Sequence, residues 1–125
     1  MTYFPDLSKY RYFSNESRPN LLNIGWLDGT GSYSKGAVDL DLLRKLFRLC
    51  NEPVNRSMGW HYCAYCKVYP VSMTLDGHTM SLGDAEIRVT GKNGIVYAAP
   101  TLICHYIQAH EYCPPDDFLV AVRKL

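Results

Sequence analysis

Two cysteines and two histidines are the residues whose types and spacing best indicate chemistry. Cys63 and Cys66 form a C-x-x-C, and His105 and His110 form an H-x-x-x-x-H. A tight turn lets both sulfurs point at one ion, and backbone N–H groups of the turn offset part of their charge. Thiolate and neutral imidazole together favour tetrahedral zinc, with Zn–S bonds of about 2.3 Å and Zn–N bonds of about 2.0 Å. The pattern therefore predicts one structural zinc ion bound by these four residues.

The ligand set has alternatives that the spacing leaves open. Cys113 lies three residues after His110 and can replace His105, so a second quartet combines the C-x-x-C pair with His110 and Cys113. In the interpretation without metal, the C-x-x-C arises by chance and the histidines have other partners. The other cysteines, Cys50 and Cys104, are interpreted as buried apolar thiols. The other histidines, His61 and His78, are interpreted as surface or capping residues.

The two pairs of candidate ligands are separated by 38 residues. A DNA-reading Cys2His2 finger has roughly 12 between its pairs, so this class of finger is excluded. A zinc ion here would join a sheet to a later helix. Four residues between the histidines place them off a common helical face, so the helix is expected to tighten or end before His110.

Catalytic chemistry has weaker signals. A zinc hydrolase needs an open position for water and a nearby base, and Glu111 is the candidate base, but H-E-x-x-H is absent. A thiol nucleophile would use Cys113 or Cys104 beside a histidine. Gly29-x-Gly31 lacks both the dinucleotide-loop spacing and a Gly-Lys-Ser/Thr, so it is interpreted as a plain turn. These observations favour a non-enzymatic role.

Composition and charge limit the class of protein. Apolar residues make up 47% of the 125 residues and charged residues 20%, which is enough for one core and argues against disorder. The net charge of +1 gives no long-range attraction to nucleic acid or anionic membrane. One local exception is the helical group Arg44, Lys45 and Arg48, which would support nucleic-acid binding but is interpreted as a solvated face.

The start of the chain and its cysteine content predict a compartment. No basic segment followed by an apolar one precedes the first turn, so no signal peptide is expected, and no apolar stretch is long enough for a membrane span. Five cysteines with one C-x-x-C then favour metal or free thiols over disulfides. These features predict a cytoplasmic protein.

Periodicity predicts a single α+β domain over residues 1–125. It consists of one antiparallel sheet, built from two hairpins and an N-terminal strand, packed with three helices and stapled by the zinc. Asp76-Gly77 marks a type I′ turn in the first hairpin. The expected strands are 21–27, the hairpin pair 71–75 and 78–82, and the hairpin pair 85–90 and 95–99. The expected helices are 39–50, 101–111 and 115–124, with Asp39 capping the first and Thr101 the second.

The first 20 positions are rich in aromatic residues, and the whole chain contains ten tyrosines. Residues 1–20 show neither a helical nor a strand period, and they are expected to form an irregular arm that packs on the core and wraps a sheet edge. The tyrosines suit either a protein contact surface or the rim of the core, and the sequence does not separate these two interpretations.

Segments along most of the chain resemble a family of small uncharacterised bacterial proteins. The resemblance is carried by Tyr3-Phe4-Pro5-Asp6-Leu7-Ser8, by Leu22-Asn23-Ile24-Gly25-Trp26-Leu27-Asp28 and by the stretch from Tyr97 to Phe118. It includes the C-x-x-C and both histidines, which favours the quartet with His105. It implies no activity. Small proteins of this kind often accompany toxins or effectors as neutralising partners, which is association only.

Together these features predict a zinc-stabilised module that binds another protein, such as a toxin-neutralising immunity protein or a regulatory partner. A zinc-dependent hydrolase and a nucleic-acid-binding zinc protein are the alternatives. The oligomeric state is left open.

Overall fold

The structure of the chain is a computed structural model that describes residues 2–11, 20–57 and 59–125. Over these ranges the chain forms the predicted α+β arrangement, with three α-helices and two small sheets. The helices are α1 (Leu40–Leu49), α2 (Ile103–His110) and α3 (Asp116–Arg123). The strands are β1 (Leu21–Asn23), β2 (Val71–Leu75), β3 (His78–Leu82), β4 (Glu86–Thr90) and β5 (Val96–Pro100).

The strands form two sheets, so the prediction of one antiparallel sheet is wrong. A three-stranded sheet has the order β1-β5-β4, with β1 parallel to β5 and β4 antiparallel to it. The hairpin of β2 and β3 forms a sheet of its own. Turn residues determine how the two strands of a hairpin pair with each other. Which strand edges then pair to form a larger sheet depends on packing across the whole chain.

The turn between β2 and β3 is as predicted. Asp76 and Gly77 both have positive φ, at 52° and 78°, which is the conformation of a type I′ turn. The register then pairs Leu75 with His78 and Val71 with Leu82.

β1 is shorter than the predicted strand 21–27. It ends at Asn23 because Gly25 has a φ of +75°, which an extended strand does not contain. Space at Gly25 is also limited, since an added Cβ would lie 3.0 Å from a side-chain carbon of Ile103. A strand pattern based on apolar residues alone cannot detect this reversal.

Two helix starts differ in how they are capped. The Asp39 side chain accepts a hydrogen bond from the backbone N–H of Asp41, as the sequence predicts for α1. α2 begins after Leu102 without a side-chain cap, so the prediction that Thr101 caps it is wrong. The Thr101 hydroxyl instead accepts a hydrogen bond from the N–H of Gly83, which ties the turn before β4 to the start of α2.

The described part of the N-terminal arm, residues 2–11, lies along the free edge of β1. Backbone hydrogen bonds join Tyr10 to Leu21 and Phe4 to Trp26, which satisfies polar groups that an open edge would expose. The prediction of an arm along a sheet edge therefore holds for these residues. Residues 1 and 12–19 of the predicted arm lie outside the described residues.

The three-stranded sheet has two covered faces. Tyr97 and Ala99 of β5 point into the main core, where they join residues of α1, α2 and α3. The intervening Ala98 belongs to a second cluster with Tyr10 and Trp26. Helices therefore cover one face and the aromatic arm the other, because side chains alternate along a strand.

Candidate metal centre

The last two turns of α2 carry both candidate histidines. The helix continues as an α-helix through His110, so the expectation that it would tighten or end earlier is wrong. It stops there because Glu111 adopts a left-handed conformation with a φ of 58°, and the N–H of Glu111 bonds to the carbonyl of Tyr106. The imidazole centroids of His105 and His110 are nevertheless only 5.0 Å apart. The two rings therefore meet although the spacing of the residues places them off a common helical face.

The two cysteines lie on a tight turn, residues 63–67, which we call the knuckle. The N–H of Lys67 donates to the Cys63 carbonyl at 2.6 Å, and Lys67 has a φ of 55° that reverses the chain. Burial raises the pKa of the Cys63 thiol, while hydrogen bonds from the backbone N–H groups of Cys66 and Tyr65 act in the opposite direction. The turn thus supplies the backbone donors that a bound thiolate needs.

The knuckle and the end of α2 bring four donor atoms together. Cys63 Sγ lies 3.2 Å from His110 Nε2, and Cys66 Sγ lies 3.4 Å from His105 Nε2. All donor atoms lie within 4.8 Å of one another, and we call this group the Cys2His2 cluster: Cys63, Cys66, His105 and His110. In a tetrahedral zinc site, sulfur and nitrogen ligands would be about 3.5 Å apart, given the usual bond lengths. The arrangement therefore suits a four-coordinate metal ion.

Burial favours uncharged side chains in the cluster. It lowers the pKa of His105, with a further contribution from the neighbouring His110, and it lowers the pKa of His110. Both imidazoles therefore favour the neutral form that binds metals. Two thiolates would carry two negative charges into this site, and a divalent cation would balance them.

An aromatic shell surrounds the Cys2His2 cluster. The Tyr65 ring lies between those of His110 and Tyr33, with centroids 5.4 Å and 5.3 Å away. The Tyr33 hydroxyl donates to the carbonyl of His110 at 2.8 Å, and the buried Tyr106 ring packs against His105. Most of this shell is core packing, so the core-rim interpretation holds for these tyrosines.

Not all aromatic side chains near the knuckle are buried. Exposed fractions are 37% for Trp60, 55% for Tyr62, 47% for Val68 and 60% for Tyr69. These four residues, which we call the knuckle rim, lie on both sides of the two cysteines in the sequence. The core-rim interpretation therefore does not extend to Tyr62 and Tyr69, whose side chains are exposed.

The other cysteines lie outside the cluster. Cys113, the rival ligand, is partly buried, and its thiol donates to the Pro114 carbonyl at 3.7 Å. Cys50 and Cys104 are buried, as predicted, with their Sγ atoms 3.8 Å apart. All five cysteines are free thiols in the structure.

The remaining histidines have ordinary surroundings. His78 is exposed and its ring contacts Phe47, as expected for a surface residue. His61 is partly buried, and its backbone N–H donates to the Gly83 carbonyl.

Two members of the predicted basic group on α1, Arg44 and Lys45, make contacts within the chain. Arg44 pairs with Asp41 at 3.0 Å and with Asp76 at 2.8 Å. The Lys45 ammonium donates to the Arg123 carbonyl at 2.6 Å. Arg44 therefore carries compensating acidic charge.

Two features escaped the sequence reasoning. Gly29 was assigned only to a turn, yet an added Cβ there would lie 2.7 Å from the Cβ of Ala64, inside the knuckle. Glu86 is 2% exposed and accepts hydrogen bonds from Tyr10 and Arg88 on the face covered by the arm. The alternation of Glu86 and Arg88 along β4 was the available signal for this second feature.

Comparison with known families identifies the family to which the chain belongs. A family model for a domain of unknown function, DUF7919, matches residues 2–123. The chain belongs to the DUF7919 family. Comparisons of this DUF7919 protein with curated proteins and with solved structures give no significant match. In the part of the chain that the structure describes, no helix is both long and apolar enough to cross a membrane.

Proposed function

We propose that this DUF7919 protein is a non-enzymatic protein-binding module whose fold is stabilised by a structural zinc ion. The observation that carries the proposal is the convergence of four donor atoms, two sulfurs and two Nε2 nitrogens, within 4.8 Å of one another. The donors come from two segments far apart in sequence, the knuckle and α2, so a shared ion would tie these segments together.

The donor set favours zinc among common metals. Two thiolates and two imidazoles are soft to intermediate ligands, which exclude a calcium- or magnesium-type site built from oxygen. Tetrahedral coordination by sulfur and nitrogen is typical of zinc.

A structural role is supported over a catalytic one. Catalytic zinc keeps one position for water, whereas the Cys2His2 cluster supplies four protein ligands. Among the described residues, no carboxylate belongs to this cluster. Glu111, the candidate base, is exposed and follows the last turn of α2.

Protein binding is supported by the knuckle rim. Three of its four residues, Trp60, Tyr62 and Tyr69, are aromatic, and aromatic side chains are enriched in the centres of protein interfaces. From Gly59 to Pro70 the sequence carries one formal charge, on Lys67. The partner that suits this surface is therefore a folded protein with an apolar patch; a toxin or another effector is the class we favour.

Two measurements test this proposal. Elemental analysis of purified protein should find about one zinc per chain, and X-ray absorption should show two sulfur and two nitrogen ligands without bound water. A bound water in place of a protein ligand, with metal-dependent turnover of an ester, phosphoester or amide, would favour the hydrolase alternative.

The binding surface is tested by substitution. Capture from native lysate should recover a stoichiometric partner with the parent protein, and the double variant Tyr62→Ser, Tyr69→Ser should lose it while retaining zinc. Val120→Ser is the matched control, since Val120 is 43% exposed on α3, outside the knuckle. Equal capture by all three proteins would exclude the knuckle rim as the interface.

A further inference from the structure

We infer that Cys66 is a peroxide-reactive site and that its oxidation to a Cys63–Cys66 disulfide releases the metal. This inference rests on the proposed zinc site and adds a modification to it. A small hydroperoxide, such as hydrogen peroxide, is the co-reactant.

Cys66 is the exposed cysteine of the cluster. Its side chain is exposed, whereas Cys63 is 0% exposed, and Cys50 and Cys104 are buried. Thiolate character and access together control oxidation of cysteine, and a bound metal keeps a cysteine ligand in the thiolate form. Cys66 combines the two properties, whereas the buried thiols are not accessible to peroxide in solvent.

Cys63 is positioned to resolve the oxidised residue. Its Sγ lies within 4.8 Å of Cys66 Sγ, and the two residues share one turn, so a short movement within the knuckle brings the sulfurs into bonding distance. Cys113 is the alternative partner, but its Sγ lies outside the cluster and against Gly36.

The reaction has two steps. The Cys66 thiolate attacks one oxygen of hydrogen peroxide, the O–O bond breaks, and the leaving hydroxide takes a proton from solvent to become water. Cys66 is then a sulfenic acid. The Cys63 thiolate attacks the Cys66 sulfur, the S–O bond breaks, and the second hydroxide also becomes water. The two thiolates lose two electrons to peroxide, and the zinc ion leaves without a change of oxidation state.

Loss of the metal would act on the knuckle rim. A disulfide is a poor ligand for zinc, so two of the four protein ligands disappear, and the histidines alone no longer tie α2 to the knuckle. The knuckle carries the rim residues at both of its ends. Oxidation is therefore expected to remove the binding surface of the proposed function along with the ion.

The experiment treats zinc-loaded full-length protein with hydrogen peroxide in the presence of a chromogenic zinc indicator. Release of about one zinc per chain is expected, together with a mass loss of two hydrogens and a Cys63–Cys66 cross-link in the peptide map. A sulfenic-acid trap should label Cys66 first. Thiol reductant with added zinc should restore the starting protein.

Cys66→His is the decisive variant because it keeps four metal ligands while removing the reactive sulfur. It should retain zinc and release it under peroxide on the order of tenfold more slowly, or not at all. Cys113→Ser is the matched control and should behave like the parent protein.

The outcomes separate this inference from the proposed function. A zinc-containing protein that keeps its metal under peroxide, or that forms a Cys50–Cys104 disulfide instead, would overturn the inference and leave the zinc site intact. A protein that contains no zinc and takes up none would overturn the proposed zinc site, and the inference with it.

Discussion

Cys63 Sγ lies 3.2 Å from His110 Nε2, a contact between residues 47 positions apart in the sequence. One atom belongs to a tight turn and the other to the last turn of α2, and Cys66 repeats the contact with His105 at 3.4 Å. Loop closure over such a separation costs conformational entropy, and two sulfur–nitrogen contacts are weak compensation for it. A metal ion bound by all four side chains would supply far more free energy.

Removal of the metal should therefore destabilise the whole fold. Structural zinc sites have apparent binding free energies of about 10–16 kcal/mol in small peptides, while domains of this size have unfolding free energies of about 5–15 kcal/mol. Treatment with a strong chelator should abolish the cooperative thermal transition monitored by circular dichroism. Added zinc should restore that transition and added magnesium should not. Identical melting curves with and without chelator would contradict a structural role.

The identity of the fourth ligand can be tested by two substitutions. His105→Ala should weaken zinc binding by more than the roughly 10- to 100-fold that loss of an outer hydrogen-bond partner causes, because it removes a direct ligand. Cys113→Ser should leave zinc affinity unchanged, since this thiol lies outside the cluster. Competition with a chelator of known affinity measures both. The reverse pattern would establish the rival quartet with Cys113.

The sequence allowed some of these features to be predicted and not others. The Cys2His2 cluster was predictable because its residue types and the C-x-x-C spacing are typical of metal sites. The hairpin around Asp76-Gly77 was predictable because its turn demands residues that tolerate positive φ. In both cases the signal is local or chemically distinctive.

The arrangement of the sheets was not predictable in the same way. The parallel pairing of β1 with β5 joins Leu21 to Val96, and nothing in either segment identifies the other as its partner. The reversal at Gly25 also depends on its approach to Ile103, which belongs to α2. Such features follow from long-range packing, which periodicity and propensity do not report.

The buried carboxylate of Glu86 predicts a pH dependence of stability. Burial raises the pKa of Glu86, and its neighbours Arg88, Tyr10 and Asn55 oppose this effect only in part. The folded chain then holds the Glu86 proton more tightly than the unfolded chain. Its contribution to stability is thus greatest below the ordinary pKa of 4.5 and falls as the pH rises through the raised value.

Glu86→Gln should remove this dependence because glutamine does not ionise. Relative to the parent protein, the free energy of unfolding of the variant should increase as the pH rises from about 4 to about 7, measured by urea denaturation. Both proteins contain the same Cys2His2 cluster, so metal loss at low pH affects them alike. Glu52→Gln is the control, since Glu52 is exposed. Parallel curves for Glu86→Gln and the parent would refute the prediction.

Gly29 links the loop before α1 to the Cys2His2 cluster. It has a φ of +90°, and a Cβ added there would lie 2.7 Å from Ala64 Cβ, between the two cysteine ligands in sequence. Gly31 is the matched control, because its φ is +66° and nothing lies within 4 Å of its added Cβ. Both positions require the left-handed region, but only Gly29 contacts the knuckle.

Gly29→Ala should therefore have two effects and Gly31→Ala only one. Each substitution should cost about 1–2 kcal/mol through backbone strain, and Gly29→Ala should cost about 1–3 kcal/mol more through overpacking against Ala64. Displacement of Ala64 should also move the cysteine ligands, so zinc should transfer to a competing chelator faster from Gly29→Ala than from Gly31→Ala. Equal stability and equal zinc transfer in the two variants would mean that the knuckle accommodates the extra methyl group without moving its ligands.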